Sequence, residues 1–240
     1  DTLDKSNKQQ TTIPPEVLRL EDLEELHMEK NLIESIPRAI NHLRNMRVLY
    51  LDQNHIQDIC EELGELKCLQ SLDLSNNPLS FSSLPVISKL QALRQLRLYK
   101  VNLHEIPVQI CKYLHHIELL GLSDNYLKCL PKELVNLTQL REIYLQKNRF
   151  ESFPMELCHM VNLEIIDLEQ NLVIPKSFTR LTSLRILDLK TNKNRKEGEK
   201  RKRKEKGKGR RKAYKRSESQ KVTFVQQTVR SSFQLHEGQM

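Results

Sequence analysis

The sequence contains few of the residues on which several protein classes depend. Tryptophan is absent, aromatic residues make up 5% of the 240 residues, and glycine occurs only 6 times. These shortages disfavour glycine-rich cofactor loops and large β-barrels. The hydrophobic share of 38% is too low for a membrane protein and too high for a fully disordered chain. We therefore expect a folded, soluble body.

Paired cysteines and long apolar runs are missing as well. The five cysteines are an odd number without a CxxC pair: Cys60, Cys68, Cys111, Cys129 and Cys158. Buried free thiols in a reducing compartment explain this pattern better than a disulfide framework. No run of 18 apolar residues occurs, and residues 1–10 are polar. We expect an intracellular protein, cytoplasmic and in part nuclear, that is neither secreted nor membrane-spanning.

The sequence also lacks the motifs that carry catalysis. No G-x-x-x-x-G-K, G-x-S-x-G or H-E-x-x-H sequence is present. The eight histidines have no metal-ligand spacing, and the adjacent His115 and His116 would point in different directions on a strand or a helix. We expect no enzymatic activity, no cofactor and no bound metal.

Leucine and charge divide the chain near residue 193. Of 40 leucines, 39 precede this position. Residues 193–240 carry 17 Lys/Arg and 5 Asp/Glu, a net charge of +12, so the overall +8 leaves −4 for the rest. We predict a folded domain at 1–192 and a basic low-complexity tail at 193–240, with a short apolar segment at 221–235.

A repeat of L-x-x-L-x-L-x-x-N-x-L with a period of 23 residues fills the first part. Full copies start at Leu23, Met46, Leu69, Ile117, Leu140 and Leu163, and a partial copy starts at Leu184. In the copy that starts at Leu93, Val101 replaces the asparagine and the period lengthens to 24 on both sides. Leu3 and Ile13-Pro14 indicate a degenerate first copy. Ile-Pro or a similar pair, such as Ile36-Pro37, recurs between copies.

These motifs resemble the leucine-rich repeat family in its intracellular class of 23 residues, including the repeat domains of Ras-suppressor and Scribble-type scaffolds. The resemblance covers about residues 3–192. It implies an α/β solenoid, an open horseshoe with short parallel strands on its concave face. Extracellular members carry cysteine-rich caps, which this sequence lacks. The uncapped last copy leaves Leu187 and Leu189 to be covered by the following chain.

The residue chemistry supports this fold independently. In L-x-L the leucines enter the core and the residue between them faces outward. The recurring asparagine can donate to and accept from backbone groups where the chain leaves each strand, so we predict a ladder of asparagines. Val101 removes one of these partners, and we expect a looser turn there.

The concave sheet is the surface that such a solenoid offers to a partner. Tyrosine and arginine dominate binding hot spots, and the copies between Tyr50 and Tyr144 place several on one face. We predict a monomeric, non-catalytic scaffold that binds a protein partner there. The alternative is that these side chains are ordinary solvent-exposed residues of the strands, which would give a similar pattern. The candidate residues are Tyr50, Asp73, Arg97, Tyr99, Lys100, Arg141, Tyr144 and Lys147.

Acidic side chains follow toward the end of the same face, at Asp167, Glu169 and Asp188. They could attract the protein's own basic tail, which would be an autoinhibitory contact.

The basic tail has several interpretations. Residues 193–216 carry 15 Lys/Arg and almost no apolar side chains, so we expect disorder in isolation. The tail could act as a solvated segment, as a nuclear-import signal, or as a nonspecific contact to nucleic acid or acidic lipid that fades with salt. The import candidates are Lys200, Arg201, Lys202, Arg203, Lys204, Arg210, Arg211 and Lys212.

Lys221-Val222-Thr223-Phe224 resembles the docking motif by which regulatory subunits bind type 1 protein phosphatase. Val222 and Phe224 would enter apolar pockets of that partner by β-strand addition. This predicts an alternative role as a phosphatase-targeting subunit. The same region also carries a helical stripe, formed by Val222, Val225, Val229 and Phe233, that could instead cap the last repeat.

Overall fold

Nine short parallel strands organise the part of the protein that the structure describes. We analysed a computed structural model that describes residues 1–172 and 185–188. The strands, β1 to β9, are Thr2–Asp4, Glu25–His27, Val48–Tyr50, Ser71–Asp73, Gln95–Arg97, Leu119–Gly121, Glu142–Tyr144, Ile165–Asp167 and Ile186–Asp188. They form one open sheet in sequence order, with β1 and β9 at its edges. The predicted parallel-stranded repeat architecture is confirmed.

The strands stack in register because each contributes one apolar residue at the same place. Leu49 pairs with Leu72 and Leu120 with Ile143, and these central residues are fully buried. The copy around Leu96 keeps this register despite its period of 24 residues. Burial of a leucine or isoleucine side chain is worth about 2 kcal/mol, so a continuous apolar row holds the coils together.

Short helices return the chain along the convex side. One is an α-helix, α1, at Val108–Tyr113. The others are 3₁₀ helices at Val17–Arg19, Arg38–His42, Glu61–Glu65, Phe81–Lys89, Lys132–Asn136 and Met155–His159. Four of the seven follow a proline, at Pro37, Pro107, Pro131 and Pro154. The proline ring fixes φ near −65° and suits the residue before a helix, which accounts for the recurring Ile-Pro pair.

The predicted asparagine ladder is present. Asn54 accepts a hydrogen bond from the Ile33 N–H of the preceding coil (3.0 Å), and its Nδ2 donates to the carbonyls of Met28 (3.0 Å) and Leu51 (2.9 Å). The pattern repeats at buried asparagines along the stack: Asn31, Asn77, Asn125, Asn148 and Asn171. Each amide therefore ties its own coil to the one before it.

The residue before each ladder position adopts a left-handed backbone conformation without being glycine. These residues have φ between 51° and 59°. They are Lys30, Gln53, Asn76, Lys100, Asp124, Lys147 and Gln170. Left-handed backbone is strained for most L-residues, so the recurrence shows that the ladder and the stacked strands hold this turn.

Val101 interrupts the ladder as expected. The side chain is buried, but it cannot accept a hydrogen bond from the preceding coil. The Leu79 N–H donates instead to the carbonyl of Asn77 (2.9 Å). A surface cavity of about 180 Å³ lies at this turn, with Phe81 and His104 among its lining residues. Where the asparagine is missing, the Leu79 N–H thus bonds within its own coil, and a surface cavity lies beside the turn.

Both ends of the stack extend the pattern. Strand β1 and the buried Ile13 lie in the predicted degenerate first copy. Leu187 in β9 is also buried. Leu189, Asn192 and the whole of 193–240 lie outside the described residues. Within the described part, no helix has both the length and the apolar character needed to cross a membrane.

Candidate functional site

Three rows of side chains cover the concave side of the sheet, and we call them the concave floor. The first row precedes the buried central residue of each strand, the second follows it, and the third lies two residues further on. The second row is Asp4, His27, Tyr50, Asp73, Arg97, Gly121, Tyr144, Asp167 and Asp188. The third row includes Glu29, Asp52, Ser75, Tyr99, Ser123, Gln146 and Glu169.

The centre of the floor is built around Tyr99 and Gly121. A Cβ atom added to Gly121 would lie 2.4 Å from the Tyr99 hydroxyl oxygen and from the ring carbon that carries it. The tyrosine ring therefore lies across the glycine of the next strand. Any larger residue at Gly121 would push the ring aside. The Tyr99 backbone N–H donates to the Ser75 hydroxyl (2.9 Å), which anchors the base of the side chain.

Arg97 and Asp73 lie beside this ring. Burial raises the pKa of the Tyr99 phenol, and the Arg97 guanidinium offsets part of that effect. Burial also raises the pKa of the Asp73 carboxyl, although Asp73 accepts a hydrogen bond from the Ser75 backbone N–H (2.9 Å). Nη1 of Arg97 is buried and has no hydrogen-bond partner among the described residues. A buried unpaired donor is costly, so this position of Arg97 is maintained at an energetic cost.

Tyr144 continues the surface on the next strand. Its hydroxyl donates to the Glu142 carboxylate (2.6 Å). Burial, together with this hydrogen bond, strongly raises the pKa of the Tyr144 phenol. The phenol thus stays protonated at neutral pH and its polar end is held in place.

Tyr50 belongs to a separate group toward the amino-terminal end. Its ring packs edge-on against His27, with the ring centroids 5.1 Å apart, and its hydroxyl lies 3.2 Å from the Ser71 Oγ. His27 in turn contacts the Glu29 carboxylate at 3.1 Å. Asp73 lies in register next to Tyr50 and links the two groups.

The three other candidate residues occupy the rims of the floor. Lys100 and Lys147 are left-handed turn residues at the ends of their strands. Arg141 precedes β7 and pairs with Glu164 through Nη2 (2.5 Å). It belongs to a row of alternating charge that also contains an Arg94–Glu118 pair at 3.1 Å and an Arg185–Glu164 pair at 3.4 Å. Arg141 thus lies beside the tyrosines and is already occupied by an ion pair.

The role of Gly121 escaped sequence reasoning. A glycine in a row of large or charged residues was visible, but nothing in the repeat template says which neighbour fills its space. The pairing of Tyr144 with Glu142 likewise depends on side-chain rotamers. A useful signal in the sequence is the combination of a glycine in one copy with a tyrosine two positions further along in the preceding copy.

Other reactive side chains are dispersed. Cys111 in α1 and Cys158 are buried, Cys60 is half-buried, and Cys68 and Cys129 are exposed; all five are free thiols. Burial raises the pKa of Cys111 to about 12, so this thiol is unreactive at neutral pH. In the described ranges, no three His, Cys, Asp or Glu side chains converge on a metal-binding position.

The tail candidates fall beyond the described residues. This applies to the import clusters at 200–204 and 210–212 and to the docking motif Lys221, Val222 and Phe224. Nuclear import, phosphatase docking, the helical cap and nucleic-acid contact stay predictions from sequence.

Comparison with known proteins identifies the repeats. A family model described as "Leucine-rich repeat region" matches residues 75–205. A second, described as "Leucine rich repeat", matches residues 3–56 and 44–100. Human leucine-rich repeat and IQ domain-containing protein 4 is 60% identical over 156 residues, which are 65% of this chain and 28% of that protein. The chain therefore matches little more than a quarter of this curated relative's length.

Solved structures share the architecture. Internalin C2 from Listeria monocytogenes superposes with a TM-score of 0.69 and 23% identity over 78% of this chain and 80% of that chain, which shows the fold alone. The leucine-rich repeat ectodomain of the Arabidopsis thaliana receptor kinase GASSHO1/SCHENGEN3 has a TM-score of 0.65 and 29% identity over 80% of this chain and 24% of that chain. That ectodomain was solved in complex with Casparian strip integrity factor 2.

Proposed function

Because the chain belongs to the leucine-rich repeat family, we propose that it is a non-catalytic scaffold that binds a protein partner on the concave floor. Homologous repeat domains are protein-protein interaction modules, and the fold and family are typically non-catalytic. The Arabidopsis ectodomain is an example of a related repeat domain in complex with another molecule.

The packing of Tyr99 across Gly121 carries this proposal. It makes a continuous surface from Arg97 through Tyr99 to Tyr144, all held by neighbouring strands. Tyrosine and arginine supply large contact areas with polar ends, and a preformed surface loses little conformational entropy on binding.

The test is quantitative capture by the whole 240-residue chain. We expect Tyr99→Ala and Gly121→Val each to lower the recovery of the same bound proteins by at least tenfold, which corresponds to about 1.4 kcal/mol. Gly121→Val leaves Tyr99 in the chain but displaces its ring. This variant therefore tests whether binding needs the position of the ring and not only the presence of the tyrosine. The matched control is Tyr113→Ala, because Tyr113 is exposed on the convex α1.

Loss of the bound proteins with Tyr113→Ala, or retention with both floor variants, would place the binding surface elsewhere. Circular dichroism melting of each variant separates lost binding from lost folding. Purified candidates from the capture are then titrated against the same variants.

A further inference from the structure

The concave floor is strongly acidic although the chain as a whole is basic. Among the floor residues that the structure describes, Arg97 is the only lysine or arginine, whereas nine carry a carboxylate. These are Asp4, Glu25, Glu29, Asp52, Asp73, Glu142, Asp167, Glu169 and Asp188. The excess extends from β1 to β9 and is therefore a property of the whole face.

The rims do not neutralise this charge. On the rim before the strands, arginines alternate with glutamates and pair with them, as Arg94 does with Glu118. The opposite rim consists of the left-handed turn residues. The charged residues among them are three lysines, Lys30, Lys100 and Lys147, and one acid, Asp124. The net charge of the floor and the two rims together is therefore negative.

Several floor carboxylates accept hydrogen bonds from neutral donors and not from lysine or arginine. Glu25 accepts from the Thr2 hydroxyl, Asp73 from a backbone N–H and Glu142 from a tyrosine hydroxyl. Glu29 contacts His27, and its Oε2 is buried without a hydrogen-bond partner in the described part of the chain. In the described residues, no lysine or arginine forms an ion pair with Glu25, Asp73 or Glu142. The charge of these three carboxylates is thus available to an external cation.

Tyrosine rings lie among these carboxylates, at Tyr50, Tyr99 and Tyr144. Carboxylates bind guanidinium and ammonium groups, and the face of a tyrosine ring attracts the same cations. A concave surface lined by one sign of charge also concentrates oppositely charged ligands. This combination fits an extended segment rich in lysine and arginine.

We propose that the concave floor binds this chain's own basic run, residues 200–216, as an intramolecular contact. The run is opposite in charge, with 12 Lys/Arg and one Glu. Lys200 follows Asp188 of the last strand by 12 residues, a span of at most about 40 Å when extended. Asp73 on β4 is five strand spacings from β9, or about 24 Å, and is within reach.

Tethering favours the chain's own segment over a separate molecule. A segment tethered at a distance that its connection can span has an effective concentration of about 1 mM at its site, well above that of most cellular peptides. A protein partner must then displace the basic run to reach Tyr99 and Arg97. This regulatory consequence rests on the proposed function, whereas the contact itself does not.

Zero-length crosslinking of the full-length protein tests the contact. A carbodiimide joins a lysine amine directly to a carboxylate, and chymotryptic peptides identify the joined residues by mass spectrometry. At low salt we expect links from Lys200, Lys202 or Lys204 to floor carboxylates. Their yield should fall at least tenfold in about 0.5 M salt, where the Debye length shortens to roughly 4 Å.

Two matched variants show whether the floor attracts the run. One neutralises four floor acids, Asp52→Asn, Asp73→Asn, Glu142→Gln and Glu169→Gln. The control neutralises four exposed acids elsewhere, Glu16→Gln, Asp22→Asn, Glu34→Gln and Glu105→Gln. We expect links to the remaining floor acids to fall at least fivefold in the first variant and to be unchanged in the second.

Mixing unlabelled and ¹⁵N-labelled protein before crosslinking distinguishes one chain from two. The proposal requires links within one isotope class. Mixed-isotope links in statistical proportion, equal links to the four control acids, or no tail links at low salt would each overturn it. Partner capture is a separate assay, so failure of the proposed function would leave these crosslinks unchanged.

Discussion

At the scale of single residues, each ladder asparagine forms hydrogen bonds with backbone groups of its own coil and of the preceding coil. Asn148 accepts from the Leu127 N–H at 2.9 Å and donates to the carbonyls of Leu122 (2.9 Å) and Leu145 (3.1 Å). Water does not replace these bonds easily because the amide is buried. The stack therefore depends on one polar side chain per coil.

Replacing this amide should destabilise the protein strongly. Asn148→Ala is expected to lower the free energy of unfolding by about 3 kcal/mol, because the buried Leu127 N–H loses its acceptor and the Leu122 and Leu145 carbonyls each lose one of two asparagine donors. Urea unfolding followed by circular dichroism measures the change. Asn136→Ala is the control, since Asn136 is exposed on the convex side. Equal effects of the two substitutions would contradict the importance of the ladder.

Ionisation of the Asp73 carboxyl should lower the stability of the folded protein. Burial raises its pKa above the ordinary 3.8, so its contribution to stability is complete below pH 3.8 and is lost as pH rises through the folded-state pKa. Asp73→Asn keeps an oxygen for the Ser75 N–H and is expected to raise the melting temperature at pH 7. The gain should vanish near pH 3.

This Asp73 comparison is made by calorimetry at high ionic strength, which screens the surrounding charges. Glu105→Gln, an exposed carboxylate without a recorded partner, should show no gain at either pH. A lower melting temperature of Asp73→Asn at pH 7 would mean that the carboxylate stabilises the fold.

At the scale of elements, ion pairs join neighbouring coils along the rim before the strands, in addition to the pairing of the strands themselves. Glu164 contacts both Arg141 and Arg185, so a single carboxylate links the coils of β7, β8 and β9. The hydrogen bond from Arg141 holds the pKa of the Glu164 carboxyl below its ordinary 4.5. All three side chains are near solvent, where individual ion pairs contribute little and salt weakens them.

The Glu164 contacts predict a pH-dependent link between coils. A lowered folded-state pKa contributes stability that is present above pH 4.5 and is lost as pH falls through the folded value. We expect Glu164→Gln to lower the melting temperature by about 1 °C or less at pH 7, as a weak surface contact implies, and we expect this difference to shrink as pH falls below 4.5. A difference that did not shrink with falling pH or in 1 M salt would argue against an electrostatic origin.

At the scale of the whole molecule, each coil among the described residues packs only on the coils next to it. Strand contacts in the described part of the chain join β1 to β2, β2 to β3 and so on to β9, and the convex helices follow the same order. Stability in such a stack is approximately a sum of single coils and neighbouring interfaces. Distant coils should therefore respond independently.

Additivity tests this organisation. Leu26→Ala and Ile166→Ala, on β2 and β8, are each expected to cost about 3 kcal/mol and to add within about 0.5 kcal/mol. Leu120→Ala and Ile143→Ala face each other in adjacent strands and should deviate from additivity by more than that. Urea titration of the singles and doubles supplies the comparison. Equal coupling in both pairs would indicate a globular core instead of a linear stack.

The sequence by itself determined the repeat, the parallel register, the buried rows and the ladder with its interruption at Val101. These features follow from the repeat: the same spacing in every copy decides which side chains enter the core and places each asparagine against the coil before it. Only the tertiary structure showed that Tyr99 lies across Gly121, that Arg141 is paired and that the floor acids face one surface. Those facts depend on residues 21 to 24 positions apart, and the template leaves them free because outward side chains are set by the neighbouring coil.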